Sequence, residues 1–280
     1  MQLIVAMAGG GSRFLKAGYT IPKPLIEVHG KPMVEYVVSL FPGEENVLFV
    51  ANNEHLKTPR LKDVLLRMKP RATIAGIEHK KRGPVLSILS ATDHIRDHEP
   101  VIVTYCDFNM GWDYSDFKRT IREKNPDSAS VCYRGFHPHL LGPNLYAGVR
   151  ADDDLNALEV KEKFSFTENK METWQQAGIF YFRNGALLKK YANEIVERDV
   201  TCNGEHFVSL LFNPMIRDGL FSLVYPVRYF CQWGTPEDLE EYNAWMDAAA
   251  NPRETEAHLA SSEADILDYW RLYREQFGNS

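Results

Sequence analysis

Cysteine is scarce in this chain of 280 residues, which contains Cys106, Cys132, Cys202 and Cys231. These four are widely spaced and form no Cys-x-x-Cys pair, so their spacing argues against both a disulfide framework and a structural zinc site. Sparse, unpaired cysteines are typical of proteins in a reducing compartment. The sequence therefore predicts a cytoplasmic protein.

Long apolar runs and an excess of positive charge are missing as well. No stretch approaches the roughly 18 apolar residues of a membrane span. Residues 1–8 have no basic segment, and their short apolar run ends in glycines, so they predict a buried first strand and not a signal peptide. The net charge is −6, whereas nucleic-acid binding needs clustered Lys and Arg. We expect no membrane partner and no nucleic-acid partner, and any phosphate binding must be local.

In the first half of the chain, apolar stretches of strand length alternate with helical patterns. Strands are predicted at residues 2–7, 46–51, 72–75 and 101–105, and helices at residues 32–40, 61–68 and 84–95. This alternation is typical of βαβ units and of a mostly parallel sheet. Ligands of such sheets bind at the carboxyl ends of the strands, which singles out the loop after the first strand and Asp107.

The second half of the chain is less regular. Strands are predicted at residues 128–133, 144–149, 158–160 and 178–182, and helices at residues 204–217, 237–249 and 254–277. The expected fold class is α/β, with a Rossmann-like mixed sheet flanked by helices. We predict one domain over residues 1–250 and a C-terminal helical extension over residues 251–280, whose apolar face is either docked or a homodimer contact.

A glycine-rich segment directly after the first predicted strand is the strongest local motif. Its residues are Ala8, Gly9, Gly10, Gly11, Ser12 and Arg13. Consecutive glycines let the backbone approach a ligand and turn several N–H groups inward, which forms an anion-binding nest. Arg13 adds a guanidinium suited to phosphate oxygens. The spacing fits neither the dinucleotide-binding nor the Walker A pattern, and for the glycines alone a flexible turn is the alternative.

A second motif, Pro22-Lys23-Pro24, follows shortly after the glycines. The two prolines hold Lys23 in an extended segment. A lysine held close in sequence to an anion nest is placed to meet the same phosphates, and a triphosphate is the ligand we expect. The alternative for this residue alone is a solvated lysine between two turns.

Together these motifs resemble the opening of the sugar-phosphate nucleotidyltransferases, the pyrophosphorylases that make nucleotide-activated sugars. Three later stretches are similar to members that serve bacterial capsule and surface polysaccharide synthesis, namely Phe136-His137-Pro138-His139, Asn203-Gly204-Glu205 and Gln232-Trp233-Gly234-Thr235-Pro236-Glu237-Asp238-Leu239. The resemblance implies a GT-A-like nucleotidyltransferase fold. It also implies Mg²⁺-dependent transfer of a nucleoside monophosphate from an NTP, with CTP or UTP preferred, to a sugar phosphate or related acceptor.

The resemblance also assigns roles to individual residues. The implied nucleotide-binding residues are Ala8, Gly9, Gly10, Gly11, Ser12 and Gly83. The implied catalytic residues are Arg13, Lys23 and Asp107, with Asp107 also the magnesium ligand. The implied acceptor-binding residues are Glu162, Lys163, Gly178 and Glu205, with His137, His139 and His206 as further candidates. One departure concerns Gln232, which stands where many relatives carry a second metal-binding aspartate and offers only a neutral oxygen.

Two other functions remain open from the sequence. A glycosyltransferase shares this architecture, and Asp107-Phe108-Asn109 is an imperfect version of the D-x-D pattern with which such enzymes bind metal. It has no need, however, of the glycine-rich segment with Pro22-Lys23-Pro24. A non-catalytic homologue that binds nucleotide sugars is the third reading, and Gln232 is its only positive support.

Overall fold

The computed structural model describes residues 1–78, 82–143, 145–250 and 261–277. A mixed β-sheet forms its centre and contains nine strands in this part of the chain. Helices pack on both faces of the sheet. The predicted α/β fold class is therefore confirmed.

The elements follow one another along the chain with short connections. The strands are β1 (Gln2–Met7), β2 (Glu27–Val28), β3 (Lys31–Pro32), β4 (Val47–Asn52), β5 (Thr73–Ile77), β6 (Val101–Thr104), β7 (Phe108–Gly111), β8 (Ser128–Tyr133), β9 (Gly148–Ala151), β10 (Ala157–Lys161), β11 (Trp174–Phe182), β12 (Ser222–Val227) and β13 (Tyr229–Gln232). The helices are α1 (Ser12–Lys16), α2 (Met33–Ser39), α3 (Asn53–Leu56), α4 (Pro59–Met68), α5 (Pro84–Leu89), α6 (Tyr114–Lys124), α7 (Gly185–Glu197), α8 (Phe212–Arg217), α9 (Pro236–Ala250) and α10 (Ser261–Phe277).

The sheet order is β10-β9-β11-β6-β1-β4-β5, and β8 and β12 extend it beside β11. Strands β5, β4, β1 and β6 are parallel, with Val5 of β1 aligned to Phe49 of β4 and Thr104 of β6. Parallel strands carry their carboxyl ends to one edge of the sheet. This places the glycine-rich segment after β1 beside Asp107, which follows β6.

Alternating side chains of the strands fill two separate cores. Leu3, Val5 and Met7 of β1 are buried with residues of α2, α4 and α6. Ile4 points to the other face and is buried with residues of α5 and α7. Both faces of the parallel strands are therefore covered, which explains their nearly continuous apolar sequences.

Strand β11 changes its neighbour at a bulge. Its residues 179–182 pair with β6, whereas Trp174 and Gln175 pair with β9. The pairing with β8 shifts register between Gln176 and Phe180. Gly178 lies inside this bulge with φ = 81°, a conformation that L side chains rarely adopt. The bulge therefore lies next to the carboxyl end of β6, where Asp107 emerges.

Three predicted elements need correction. The helix predicted at residues 204–217 is wrong in its first half, because Asn203 and Gly204 turn the chain and Cys202 pairs with Glu205, and α8 begins only at Phe212. The helix predicted at residues 84–95 ends at Leu89 and continues as a 3-10 turn at Thr92–His94. For the strand predicted at residues 144–149, residue 144 lies outside the described residues, and β9 begins at Gly148.

Helix α10 packs against the same domain that precedes it. Tyr269, Trp270 and Tyr273 are buried together with residues of β13 and α9. The Tyr269 hydroxyl donates to the Phe230 carbonyl at 3.1 Å, and the Asn109 amide donates to the Tyr273 hydroxyl at 2.7 Å. The aromatic stripe of the C-terminal extension is thus docked within the chain, while residues 251–260 lie outside the described part. The homodimer stays a prediction.

None of the described helices has the length and apolarity that crossing a membrane requires.

Candidate active site at the carboxyl ends of the parallel strands

The glycine-rich segment connects β1 to α1 and borders a cavity of about 350 Å³, which we call the first cavity. From this segment the cavity is lined by Ala8, Gly9, Gly11, Ser12 and Arg13. Gly10 lies instead beside a separate depression that includes Ile21 and Glu54. Five of the six residues of the motif therefore face one space large enough for part of a nucleotide.

A second cavity of about 250 Å³ adjoins the first. Glu162, Lys163 and Gly178 line it. The two cavities share the lining residues Arg13, Lys23, Tyr105, Asp107, Glu205, Phe207 and Gly234. The structure thus brings the predicted catalytic residues to the boundary between the space beside the glycine-rich segment and the space beside the predicted acceptor residues.

Lys23 is fixed at this boundary by two hydrogen bonds. Its ammonium donates to Asp107 Oδ2 at 2.5 Å and to the Gly234 carbonyl at 3.1 Å. The Phe14 ring lies 5.1 Å from the ammonium, measured to the ring centroid. The backbone N–H of Trp233 donates to the backbone carbonyl of Asp107 at 2.8 Å. These contacts connect the segment after β1, the end of β6 and the segment after β13 at one point.

Gln232 reaches the same region because β13 pairs with β7. Gln232 is aligned with Phe108, the neighbour of Asp107. Its side-chain N–H donates to Asp238 at 2.5 Å, and Asp238 also accepts from the Thr235 N–H at 2.9 Å. Burial raises the pKa of the Asp238 carboxyl. Sequence reasoning missed Asp238 as a cavity residue, although Thr235-x-x-Asp238 is a recognisable capping pattern at the start of α9.

The donor set at the boundary fits a magnesium ion that nucleotide phosphates help to hold. Magnesium is commonly bound through one or two carboxylates together with substrate phosphates and water. Asp107 faces both cavities, and Gln232 and Asp238 line the second. The described residues contain no cluster of three or more His, Cys, Asp or Glu side chains arranged to hold a metal without a substrate. A magnesium ion bound here would therefore need further ligands from a substrate or water.

Asn109 does not belong to the site. Its side chain is buried, with its N–H donated to Tyr273 and its oxygen accepting from the Met110 N–H at 3.0 Å. The sequence Asp107-Phe108-Asn109 therefore does not present two metal-binding side chains to one space. This placement argues against the D-x-D interpretation on which the glycosyltransferase alternative depends.

Glu162 and Lys163 lie in the wall of the second cavity and do not form an exposed ion pair. The Ser209 hydroxyl donates to the Glu162 carboxylate. Burial raises the pKa of Glu162, and the neighbouring Glu205 raises it further, while Ser209 and Lys163 lower it. The Lys163 ammonium lies 5.4 Å from the centroid of the Phe207 ring. A half-buried carboxylate beside a lysine is suited to binding one polar end of a ligand.

Close contacts and a positive φ favour glycine at positions 178 and 83. A Cβ atom at Gly178 would lie 3.1 Å from Tyr105 Cδ2, in the wall of the second cavity. A Cβ atom at Gly83 would lie 2.5 Å from the His206 carbonyl oxygen, and Gly83 has φ = 94°. The Val85 N–H donates to the same carbonyl at 3.2 Å. Glycine at position 83 therefore allows the segment that carries Glu205 to pack against the start of α5. Gly83 also lines the first cavity.

Replacing Gly83 by Ala is expected to reduce the free energy of unfolding by about 1–3 kcal/mol, because it combines a left-handed backbone with a backbone clash. Urea unfolding measures this change. Gly135→Ala is the matched control, since Gly135 also has φ = 94° but would place its Cβ in open space. Equal losses of stability in the two variants would contradict the proposed contact with His206.

The three histidines lie in the core and line neither cavity within the described residues. His137 is fully buried and burial lowers its pKa to about 4. His139 lies 2.8 Å from the Tyr133 hydroxyl, and burial lowers its pKa as well. His206 is fully buried, with Nδ1 3.0 Å from the Val200 carbonyl. Their sequence-based assignment to acceptor recognition has no support in this placement.

Comparison with known proteins places these features in a family. Residues 3–167 match the MobA-like NTP transferase domain, which is more than half of the chain. The chain is 24% identical over 254 residues to the bifunctional protein GlmU of Methanocaldococcus jannaschii, covering 88% of this chain and 54% of GlmU. It is 21% identical over 261 residues to the glucose-1-phosphate thymidylyltransferase of Neisseria gonorrhoeae, covering 90% and 84%. The chain thus spans about half the length of GlmU.

Solved structures share the fold at low sequence identity. The nucleoside-diphosphate-sugar pyrophosphorylase from Vibrio cholerae RC9 has a TM-score of 0.71 and 17% identity, with 87% of this chain and 100% of that chain covered. The inositol-1-phosphate CTP transferase from T. maritima has a TM-score of 0.65 and 15% identity, with 96% of each chain covered. This chain therefore belongs to the MobA-like NTP transferase domain family, and its homologues are sugar-phosphate nucleotidyltransferases.

Proposed function

We propose that this protein transfers a nucleoside monophosphate from an NTP to a phosphorylated acceptor and releases pyrophosphate. The observation that carries this proposal is the pair of adjoining cavities with Arg13, Lys23 and Asp107 at their shared boundary. A nucleotidyl transfer requires two phosphorylated substrates to meet at the α-phosphorus. One cavity beside an anion nest and a second beside Lys163 provide one space for each substrate.

The first cavity is the proposed NTP site. Backbone N–H groups of the segment from Ala8 to Ser12 would bind the phosphates, as such glycine-rich nests do for anions. Gly83 lines the same cavity beside the start of α5. The second cavity is the proposed acceptor site, with Glu162, Lys163, Gly178 and Glu205 in its wall.

The proposed reaction is an in-line displacement at the α-phosphorus. An oxygen of the acceptor phosphate forms a bond to the α-phosphorus, and the bond to the bridging oxygen of pyrophosphate breaks. The acceptor phosphate is already anionic, so no general base is needed. Phosphoryl-type transfer is accelerated mainly by positioning and by charge stabilisation. Arg13 and Lys23 would stabilise the charge that develops on the transferring group and on pyrophosphate.

Magnesium is the proposed cofactor, with Asp107 as its protein carboxylate and Gln232 as a neutral oxygen ligand. When bound, the ion would offset the negative charge of the phosphates around the α-phosphorus. The ion pair with Lys23 holds the Asp107 carboxylate at the boundary of the two cavities. The charge on Asp107 is therefore the feature of the chain on which metal binding most depends.

The resemblance of the sequence motifs supports a choice of nucleotide, acceptor and biosynthetic role. We propose CTP or UTP as the nucleotide and a sugar phosphate, an alditol phosphate or an amino-alcohol phosphate as the acceptor. The product would be a precursor of bacterial capsule or surface polysaccharide, made in the cytoplasm. Names of the relatives include both a thymidylyltransferase and a CTP transferase, so the base needs a direct test.

A pyrophosphate-release screen tests the proposal. The purified protein is incubated with Mg²⁺, each of four NTPs and a panel of sugar, alditol and amino-alcohol phosphates. We expect pyrophosphate from one combination of NTP and acceptor, and none when the acceptor is omitted. Release of a nucleoside diphosphate from a nucleotide sugar would favour a glycosyltransferase instead, and nucleotide binding without any turnover would favour a non-catalytic homologue.

A further inference from the structure

The second cavity has a charge and a surface that restrict its ligand. Among the described residues, its charged lining consists of four carboxylates and three cations, namely Asp107, Glu162, Glu205, Asp238, Arg13, Lys23 and Lys163. A phosphate group brings about −1.5 to −2 further charges. Carboxylates outnumber cations by one in this lining before a metal ion or a substrate binds, and an acceptor whose other groups are hydroxyls brings no cation of its own.

Three of these four carboxylates form no ion pair in the described part of the chain. Lys23 is paired with Asp107, and Asp238 accepts hydrogen bonds from Gln232 and Thr235. Glu162 and Glu205 are close enough for the charge of Glu205 to raise the pKa of Glu162. The nearby cation is Lys163, which an acceptor phosphate also requires. When Lys163 binds such a phosphate, the two glutamates share one cavity wall without a cation of their own.

Aromatic rings form much of the remaining wall. The aromatic residues that line the second cavity are Tyr105, Phe108, Tyr146, Phe180, Phe207 and Phe230. Aromatic faces attract ammonium groups through the ring quadrupole, and cavities that combine them with carboxylates are suited to amines.

Gln176 is an independent sign that this wall is suited to a polar ligand. Gln176 is one of the residues that line the second cavity, and the residue is 2% exposed. Neither its amide nitrogen nor its amide oxygen has a hydrogen-bond partner in the described part of the chain. A buried amide without partners is costly, because no hydrogen bond offsets the loss of its contacts with water. A ligand with its own polar group would satisfy this amide.

We propose that the acceptor carries a protonated amine in addition to its phosphate, and that Glu162, Glu205 and Gln176 bind that amine. This inference rests on the proposed nucleotidyl transfer and names the substrate class of the same site. The phosphate end lies at Lys163 and at the cavity boundary with Arg13 and Lys23. The ammonium end lies against the two glutamates and the aromatic wall, with the Gln176 oxygen as a further hydrogen-bond acceptor.

Matched acceptor pairs test the inference, because each pair differs only by an amine in place of a hydroxyl. The pairs are 2-aminoethyl phosphate with 2-hydroxyethyl phosphate, and glucosamine 1-phosphate with glucose 1-phosphate. We expect the amine to have a kcat/KM at least about tenfold higher in the pair that is turned over, as for a charge-assisted hydrogen bond in a buried site. Equal or higher kcat/KM for the hydroxyl compound overturns the inference and leaves the proposed function standing. Absence of pyrophosphate with every acceptor and every NTP overturns both.

Two variants separate recognition from folding. Glu205→Gln is expected to abolish the preference for the amine. Glu159→Gln is the control and should retain the preference, because the Glu159 carboxylate is paired with Arg150 outside the cavity.

Gln176→Leu is expected to raise the acceptor KM about tenfold and also to raise the melting temperature, because it removes an unsatisfied buried amide. A merely structural Gln176 would lower the melting temperature when replaced and leave the acceptor KM unchanged. That result, or an amine preference that survives Glu205→Gln, contradicts the proposal.

Discussion

Replacing Asp107 by Asn is expected to lower kcat by about 10²–10³, which is the usual effect of removing one preorganised electrostatic group from an active site. The substitution keeps the size of the side chain but removes the charge that pairs with Lys23 at 2.5 Å and that would hold magnesium. Because Asp107 is partly exposed, we expect the substitution to leave the fold intact. Steady-state kinetics with pyrophosphate detection measures the loss, and the melting temperature checks the fold.

Asp153→Asn is the matched control for this experiment, since Asp153 is exposed in the turn before β10. It makes the same chemical change far from the cavities, and we expect normal kinetics. A titration with Mg²⁺ adds a second readout, because Asp107→Asn should require more magnesium for half-maximal activity. Turnover within a factor of about three of the unaltered protein, far below the loss expected, would contradict the role of Asp107.

Replacing Arg13 by Ala is expected to reduce kcat/KM by about 10²–10³, for the same electrostatic reason. Arg13 is exposed, lines both cavities and forms no ion pair within the described part of the chain. Its guanidinium is therefore available to the phosphates of both substrates. Because Arg13 is exposed and unpaired in the described residues, the substitution should leave the free energy of unfolding nearly unchanged.

Lys16→Ala provides the control for Arg13→Ala, because Lys16 is an exposed cation on the same short helix α1 and lines neither cavity. We expect its kinetics to match those of the unaltered protein. Similar small losses in both variants would show only a general effect of positive charge near the site. That outcome would remove Arg13 from the proposed mechanism.

The parallel half of the sheet is predictable from sequence because its signals are local. Strands β1, β4 and β6 are continuous apolar runs, and each is buried on both faces. The glycines after β1 and Asp107 after β6 then meet because parallel strands end at one edge. This geometric rule accounts for the proximity of Arg13, Lys23 and Asp107.

Other elements depend on contacts between distant segments. Strands β7 and β13 are four residues each and pair with one another across more than a hundred residues of sequence, so neither has a distinctive local pattern. Their pairing places Gln232 and, through the start of α9, Asp238 at the second cavity. Local propensity gives no sign of such a pairing. The sequence therefore does not indicate Asp238 as a residue of the second cavity.

Residue type alone also cannot separate ligand-binding side chains from core side chains. His137 and His139 are candidate ligand-binding residues in the sequence, yet both pack against the core tyrosine Tyr133. Gln176 lies in an unremarkable strand sequence, yet the bulge of β11 places it beside the second cavity. The difference arises from tertiary packing, which a single sequence does not express.

The fate of the α-phosphate of the NTP tests the central claim most directly. The protein is incubated with an NTP labelled at the α-phosphorus, Mg²⁺ and the acceptor found in the pyrophosphate screen, and the products are separated. We predict that the label moves into a nucleoside-diphosphate-linked acceptor, with one pyrophosphate released for each product formed. Label that remains in the NTP, or that appears only in a free nucleoside mono- or diphosphate, would contradict nucleotidyl transfer to a phosphorylated acceptor.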